Sequence, residues 1–166
     1  MAVSVLSTTP VPTAKAVRDM LTDLLGRTVD VHSSLPYAPK PSDPTTIAVY
    51  VDDQTVVRAV GVVDLGFSAR AGAAIGLVPS PSADEAIETK ILSETLAENL
   101  YEVLNIAASL LNAEGVVHVK LHEMYAAGTR PPAQIAECMQ ALGRRLDLGV
   151  DISGYGKGRF SLVILG

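Results

Sequence analysis

Cysteine is all but missing from this chain: among 166 residues Cys138 stands alone, in the stretch AQIAECMQAL. One cysteine excludes an intramolecular disulfide and a cysteine-rich zinc site. On that helical pattern it reads as a small core hydrophobe, and no histidine nearby in sequence would activate it as a nucleophile. Basic residues are also few, 13 against 18 acidic ones, for a formal net charge of -5, and Arg144–Arg145 is their only adjacent pair. Such a charge argues against a nucleic-acid partner and against an anionic membrane surface. No run approaches the roughly 18 apolar residues that a membrane span needs. The opening MAVSVLSTTPVP has no basic n-region and too short an apolar run for a signal peptide, so a cytoplasmic protein is expected.

Several chemical motifs are missing as well. No serine lies in G-x-S-x-G, which leaves Ser-His-Asp hydrolysis without an anchor. The run Gly154, Tyr155, Gly156, Lys157, Gly158 has the glycines of a phosphate loop but lacks the Lys-Ser/Thr ending, and no βαβ unit follows it. It reads as a flexible hairpin turn. His118 and His122 would share a metal on a helix, but on a strand they stand about 13 Å apart at 3.3 Å per residue, too far for one ion. Asp52 and Asp53 sit where a turn is expected, and aspartate there bonds local backbone amides.

What is present is the composition of a globular domain, 48% hydrophobic and 19% charged. The length fits a single domain over residues 1–166. Thr13 caps a helix running to about Leu25, with Val17, Met20, Leu21, Leu24 and Leu25 at helical spacing and Gly26 as its stop. A short strand is expected at Thr28 to His32. Residues 33–44 hold four prolines in a polar run, which excludes regular structure and makes them a loop, mobile or facing a partner. Thr46 to Val51 and Val56 to Val63 are β-branched runs arranged as a hairpin. Ser68 is placed to cap a small-residue helix, Ala69 to Ile75, suited to close packing against another element.

Ser82 and Glu85 have the spacing of a capping box, and no proline or glycine follows until past Asn112. An unbroken helix there would be roughly 45 Å long. It must either break near Ile91 to Glu94 or form a long spine across the domain. Val117, Val119 and Leu121 alternate with His118, Lys120 and His122, as in a half-exposed strand. A helix is expected from Pro132 to Leu142, then a hairpin of Leu146 to Ile152 and Arg159 to Leu165 around SGYGKG. No repeat has a fixed period, although strand pairs flanking helices permit a weak two-fold pseudosymmetry.

One stripe concentrates the acceptor groups. At 100° per residue Glu98, Glu102, Asn105 and Ser109 fall within roughly 60° of one another. Leu96, Leu100, Val103, Leu104, Ala107 and Leu111 lie opposite them and supply a core face. Spacing alone leaves a plain solvated face as the simpler account, because every surface helix shows polar residues to water.

The segment ENLYEVLNIAASLLN places Glu102 three residues before Asn105, on a long helix preceded by a strand pair and an Ala/Gly-rich helix. This order resembles the CheC/CheX/FliM family of chemotaxis phosphatases and motor-switch domains, over roughly Val56 to Tyr125. The family signature is an Asp or Ser, three residues, Glu, two residues, Asn and a downstream proline. Here Glu98 fills the first place, Glu102 and Asn105 match, Ser109 stands where a small residue is expected, and Pro131 and Pro132 come a few positions late.

The resemblance implies an α+β fold, an antiparallel sheet packed against a long central helix and shorter helices. It also implies dephosphorylation of a phosphorylated CheY-like response regulator. Glu102 would pair with a lysine of the regulator and Asn105 would orient the attacking water, with Glu98 and Ser109 auxiliary or partner-binding. The partner would carry the Mg2+ and the phosphorylated aspartate, so this chain would need no metal or cofactor of its own. Two alternatives share the fold: a non-catalytic adaptor that binds a regulator, and a homodimeric scaffold joined at a sheet edge that the strand-rich tail would offer. Catalysis requires that Glu102 and Asn105 be exposed together.

Overall fold

The computed structural model describes residues 8–40 and 42–165. Most of the opening stretch MAVSVLSTTPVP, as far as residue 7, lies outside the described residues, as does Pro41 of the proline-rich loop.

The elements follow in the order α1 (Ala14–Leu25), β1 (Val29–Ser33), β2 (Thr45–Val51), β3 (Val57–Asp64), α2 (Leu65–Ile75), α3 (Ser80–Thr89), α4 (Glu94–Ala107), a 3-10 turn (Ala108–Leu111), β4 (Lys120–Tyr125), α5 (Ala133–Cys138), β5 (Arg144–Ile152) and β6 (Gly156–Ile164). The six strands form one antiparallel sheet in the order β1-β5-β6-β3-β2-β4. Exchanging β1 with β4, β2 with β5 and β3 with β6 reverses that order without changing it. A pseudo-two-fold therefore passes between the central strands β3 and β6, and the α+β architecture anticipated from the sequence is present.

Strand alternation splits the core across the sheet. Tyr50, Ala59, Val63, Leu148, Val150, Ile152, Phe160 and Leu162 join Val17 and Leu21 of α1, Phe67 and Ala71 of α2, and Leu100, Val103 and Leu104 of α4. On the opposite face Ile47, Val49, Val51, Val60 and Val62 meet Ile135 and Met139, with half-buried Cys138 and Tyr37 packed beside them. Cys138 is thus a packing residue, and burial pushes its thiol pKa up.

Of the two alternatives for the Ser82–Asn112 run, the break near Ile91 to Glu94 is the one present, and the run forms two helices. Lys90 ends α3 in the left-handed conformation at φ 59, and Ser93 caps α4 by accepting from the Leu96 amide at 3.2 Å. The reason lies in what they pack on: α2 is 11 residues long, about 16 Å. Ala83 and Ala86 of α3 and Leu96 of α4 all close on Ala69 and Ala73 of α2, which a straight 45 Å rod could not do. The Ser82–Glu85 pair is inside α3, whose N-cap is Pro79.

Other boundaries shift for identifiable reasons. Asp64, not Ser68, caps α2, accepting from the Phe67 amide at 2.7 Å, while buried Ser68 donates to the Asp64 carbonyl at 2.7 Å and to Thr46 Oγ1. The fourth strand starts at Lys120 because the Asn112 amide takes both backbone groups of Val119, at 2.8 and 3.0 Å. Helix α5 is shorter than expected because Arg145 Nη1 captures the Met139 and Ala141 carbonyls and turns the chain into β5. In the last hairpin the turn narrows to Ser153–Tyr155. The glycine run beyond it serves packing, since a Cβ at Gly158 would sit 2.4 Å from the Phe67 amide nitrogen.

The proline-rich loop begins one residue later than expected, because Ser33 pairs with Leu148 at the end of β1; from Ser34 on it has no regular element among its described residues, but its first half is anchored. Asp147, buried on β5, accepts from Arg145 Nε and Nη2 at 2.8 and 2.9 Å, from Ser161 Oγ at 2.7 Å and from the Tyr37 amide at 3.0 Å. The Arg159 guanidinium also covers the Tyr37 ring at 4.6 Å. Burial alone would raise the Asp147 pKa, but the bonds from Arg145, Ser161 and Tyr37 outweigh it and hold the carboxyl below its ordinary 3.8. A depressed carboxyl stabilises the fold above its unfolded pKa and loses that contribution as pH falls through the folded value. In urea titrations, Asp147→Asn is expected to lose about 3 kcal/mol near neutrality, since Arg145 is left buried without its partner. It should also show a shallower stability loss than the parent as pH drops below about 4.

Candidate functional site

Helix α4 is held from behind at three places. At Gly72 of α2 the two backbones approach so closely that a Cβ would lie 2.6 Å from the Leu96 carbonyl oxygen. Asn99 of α4 donates its amide to the Gly72 carbonyl at 2.9 Å, a polar tie across the same contact. Near the C-terminal end the buried Tyr50 hydroxyl donates to the Leu104 carbonyl at 2.6 Å, one residue before Asn105, and burial pushes the Tyr50 pKa up. The last turn then tightens, with the Ala108 amide reaching both Asn105 and Ile106 carbonyls.

This seating fixes which face looks outward. Leu96, Leu100, Val103, Leu104 and Ala107 are buried, and Glu98, Glu102, Asn105 and Ser109 are all exposed. The stripe therefore exists as one accessible row. None of its four side chains has a hydrogen bond or ion pair to another side chain among the described residues. Glu102 and Asn105 stand three residues apart on one helical face, where Cβ atoms are typically about 5–6 Å from each other. A carboxylate and an amide so placed offer one anionic acceptor and one group able both to donate and to accept.

Two neighbours went unnoticed in the sequence. Tyr101 and Ile106, 40% and 38% exposed, border the stripe on its two sides. Their signal was a large apolar residue at each edge of the polar arc of the helical wheel. Asn99 and Tyr50 were missed too, because a positioning bond to a distant backbone carbonyl has no local sequence pattern.

The pseudo-two-fold sets α1 in the place corresponding to α4. Aligning buried Val17 and Leu21 with Leu100 and Leu104 puts Lys15, Asp19 and Thr22 at the positions of Glu98, Glu102 and Asn105. There Lys15 Nζ closes on Asp19 at 2.7 Å, and no amide side chain follows. Free acceptors and an amide together are a property of α4.

The remaining sequence candidates fall elsewhere. Asp52 Oδ1 accepts from the Val56 and Gln54 amides at 3.0 and 2.9 Å, and Oδ2 from Arg58 Nε at 2.8 Å, so it shapes the β2–β3 turn. His122 lies on β4 and His118 on the approach to it, both exposed. Among the described residues no group of three or more His, Cys, Asp or Glu could hold a metal ion, and no helix is long and apolar enough to cross a membrane.

No family model and no curated protein matches the sequence. Solved structures do. FliM from H. pylori, in its complex with SpeE, is similar at a TM-score of 0.59 and 12% identity, over 91% of this chain and 80% of that one. FliY of Thermotoga maritima is similar at 0.55 and 16%, over 89% and 81%. A chain of the CheX-CheY-BeF3-Mg+2 complex from Borrelia burgdorferi is similar at 0.55 and 12%, over 92% and 94%. The chain has the CheC/CheX/FliM fold. Identities this low carry the fold and nothing finer. The CheC/CheX/FliM fold is consistent with the resemblance seen in the sequence, and in this chain its α4 carries the exposed E-x-x-N pair.

The seating of α4 gives a direct test. Gly72→Val is expected to cost about 2 kcal/mol in denaturant unfolding, because the added carbons meet backbone rather than a movable side chain. Tyr50→Phe should cost about 1 kcal/mol, leaving the Leu104 carbonyl without its buried donor.

Proposed function

We propose that this protein is a CheX-like phosphatase that removes the phosphoryl group from the aspartate of a CheY-like response regulator. The observation that carries the reading is the joint exposure of Glu102 and Asn105, without an ion pair to Glu102 among the described residues, on a helix fixed from behind. Groups that must reach into another protein's active site have to be outside, unpaired and rigidly based.

The chemistry asks little covalent work of this chain. Water attacks phosphorus in line as the bond to the aspartate oxygen breaks, the aspartate leaves as carboxylate, and the water's protons pass to the phosphate and solvent. The Asn105 amide orients that water, accepting from it or donating to it as the attack develops. Glu102 pairs with a cation beside the phosphorylated aspartate and sets the register of the two proteins. Glu98, one turn away, adds negative charge that steers a basic patch, and Ser109 offers a hydroxyl at the other end of the row. Magnesium belongs to the regulator in this scheme, and no step passes through an ion held here.

Release of inorganic phosphate from a phosphorylated regulator is the test. The wild-type protein should accelerate it, and Asn105→Ala should lower the acceleration by ~100-fold, the size of effect seen when one aligned polar group is removed from a transition state. Glu102→Ala should lower it through loss of pairing. Equal rates for wild type and Asn105→Ala would remove the proposal.

Tyr101 and Ile106 favour a second reading, a non-catalytic adaptor, since apolar residues framing a polar row serve binding whether or not chemistry follows. Regulator binding without faster phosphate loss would support it. The tail strands β5 and β6 are interior to the sheet and offer no edge, so a homodimer would join through the outer strands β1 or β4, which light scattering tests.

A further inference from the structure

We propose that the cleft between the proline-rich loop and α5 binds a small amphipathic anion, an apolar body carrying a single carboxylate or phosphate-type head. The cleft encloses about 820 Å³, a size typical of small-molecule sites. Ile47 and Met139 line it and are 3% and 6% exposed, which gives it a dry apolar floor.

Its rim is cationic. Lys40 comes from the proline-rich loop, Lys90 from the end of α3 and Arg130 from the link between β4 and α5, so the fold gathers three cations from distant parts of the sequence. All three are exposed, and none takes part in an ion pair among the described residues. Asp43 is the one carboxylate on this rim, and it is turned into its own loop, accepting from the Lys40 amide at 2.9 Å. Unpaired cations around an apolar floor are notable in a chain whose net charge is -5. The positive field is local, and it complements an anionic head whose body lies on Ile47 and Met139. Nothing in this argument uses α4, so the cleft stands or falls apart from the phosphatase reading.

Calorimetric titration of the whole protein with decanoate tests it, beside decyltrimethylammonium, decanol and inorganic phosphate. Decanoate should bind saturably at one site and each comparator much more weakly, because charge and chain are both required. The double substitution Lys90→Glu and Arg130→Glu should weaken decanoate by about tenfold or more. Ala136→Trp, on the exposed side of α5 and lining the cleft, should block it by filling the space. Lys120→Glu on β4 makes the same kind of charge change elsewhere and should leave binding intact. Urea unfolding of each variant shows that it is folded. No decanoate binding, equal binding of the ammonium analogue, or unchanged binding by both the double variant and Ala136→Trp would overturn the proposal.

Discussion

The close approach of α2 and α4 at Gly72 is the constraint on which the outward face of α4 depends. With no side chain at that position, the Leu96 carbonyl can sit where a Cβ would otherwise be, and the Asn99 amide bonds across the gap. The small residues of α2 extend the effect, since Ala69, Ala71, Ala73 and Ala74 are all buried and none holds its neighbours apart. Helix α2 thus becomes a thin layer between the sheet and α4. The outer helix has one face committed to packing, and its rotation about its own axis is no longer free.

That rotation decides what the surface can do. Tyr50 reaches up from the sheet to the Leu104 carbonyl, so the end of α4 that bears Asn105 is tied to the most buried part of the core. Glu102 and Asn105 consequently stand on a stiff base rather than on a loop, which suits groups that must meet a partner's reacting atoms without paying for their own ordering. The corresponding face of α1 shows the contrast. Its carboxylate is engaged by Lys15 and Arg18 of the same helix, and Thr22 rather than an amide stands three residues further on.

Much of the architecture was legible in local patterns. The hairpins β2–β3 and β5–β6, α1 with its Thr13 cap, and the outward row of four polar residues on α4 follow from alternation, capping and helical spacing. What sequence could not show was mostly tertiary. The length of the Ser82–Asn112 run left a break near Ile91 to Glu94 or an unbroken spine open, and the break is decided by packing, because two short helices must both lie on α2. Strand β4 starts late and α5 stops early because Asn112 and Arg145 divert backbone groups that a local pattern would assign to the elements themselves. For the same reason the site's polar row, and the flanking Tyr101 and Ile106 at the edges of its arc, are legible from periodicity, whereas Asn99 and Tyr50 needed the packing.

The central claim is that Asn105 acts on the phosphoryl transfer and not on the association of the two proteins. It is tested most directly by measuring, for Asn105→Ala under single-turnover conditions with this protein in saturating excess, both the dissociation constant for the regulator and the rate of phosphoryl loss. Binding should stay within about threefold of wild type while the acceleration of phosphoryl loss falls by about 100-fold. A preserved rate, or a rate that falls only in step with weakened binding, would contradict the account.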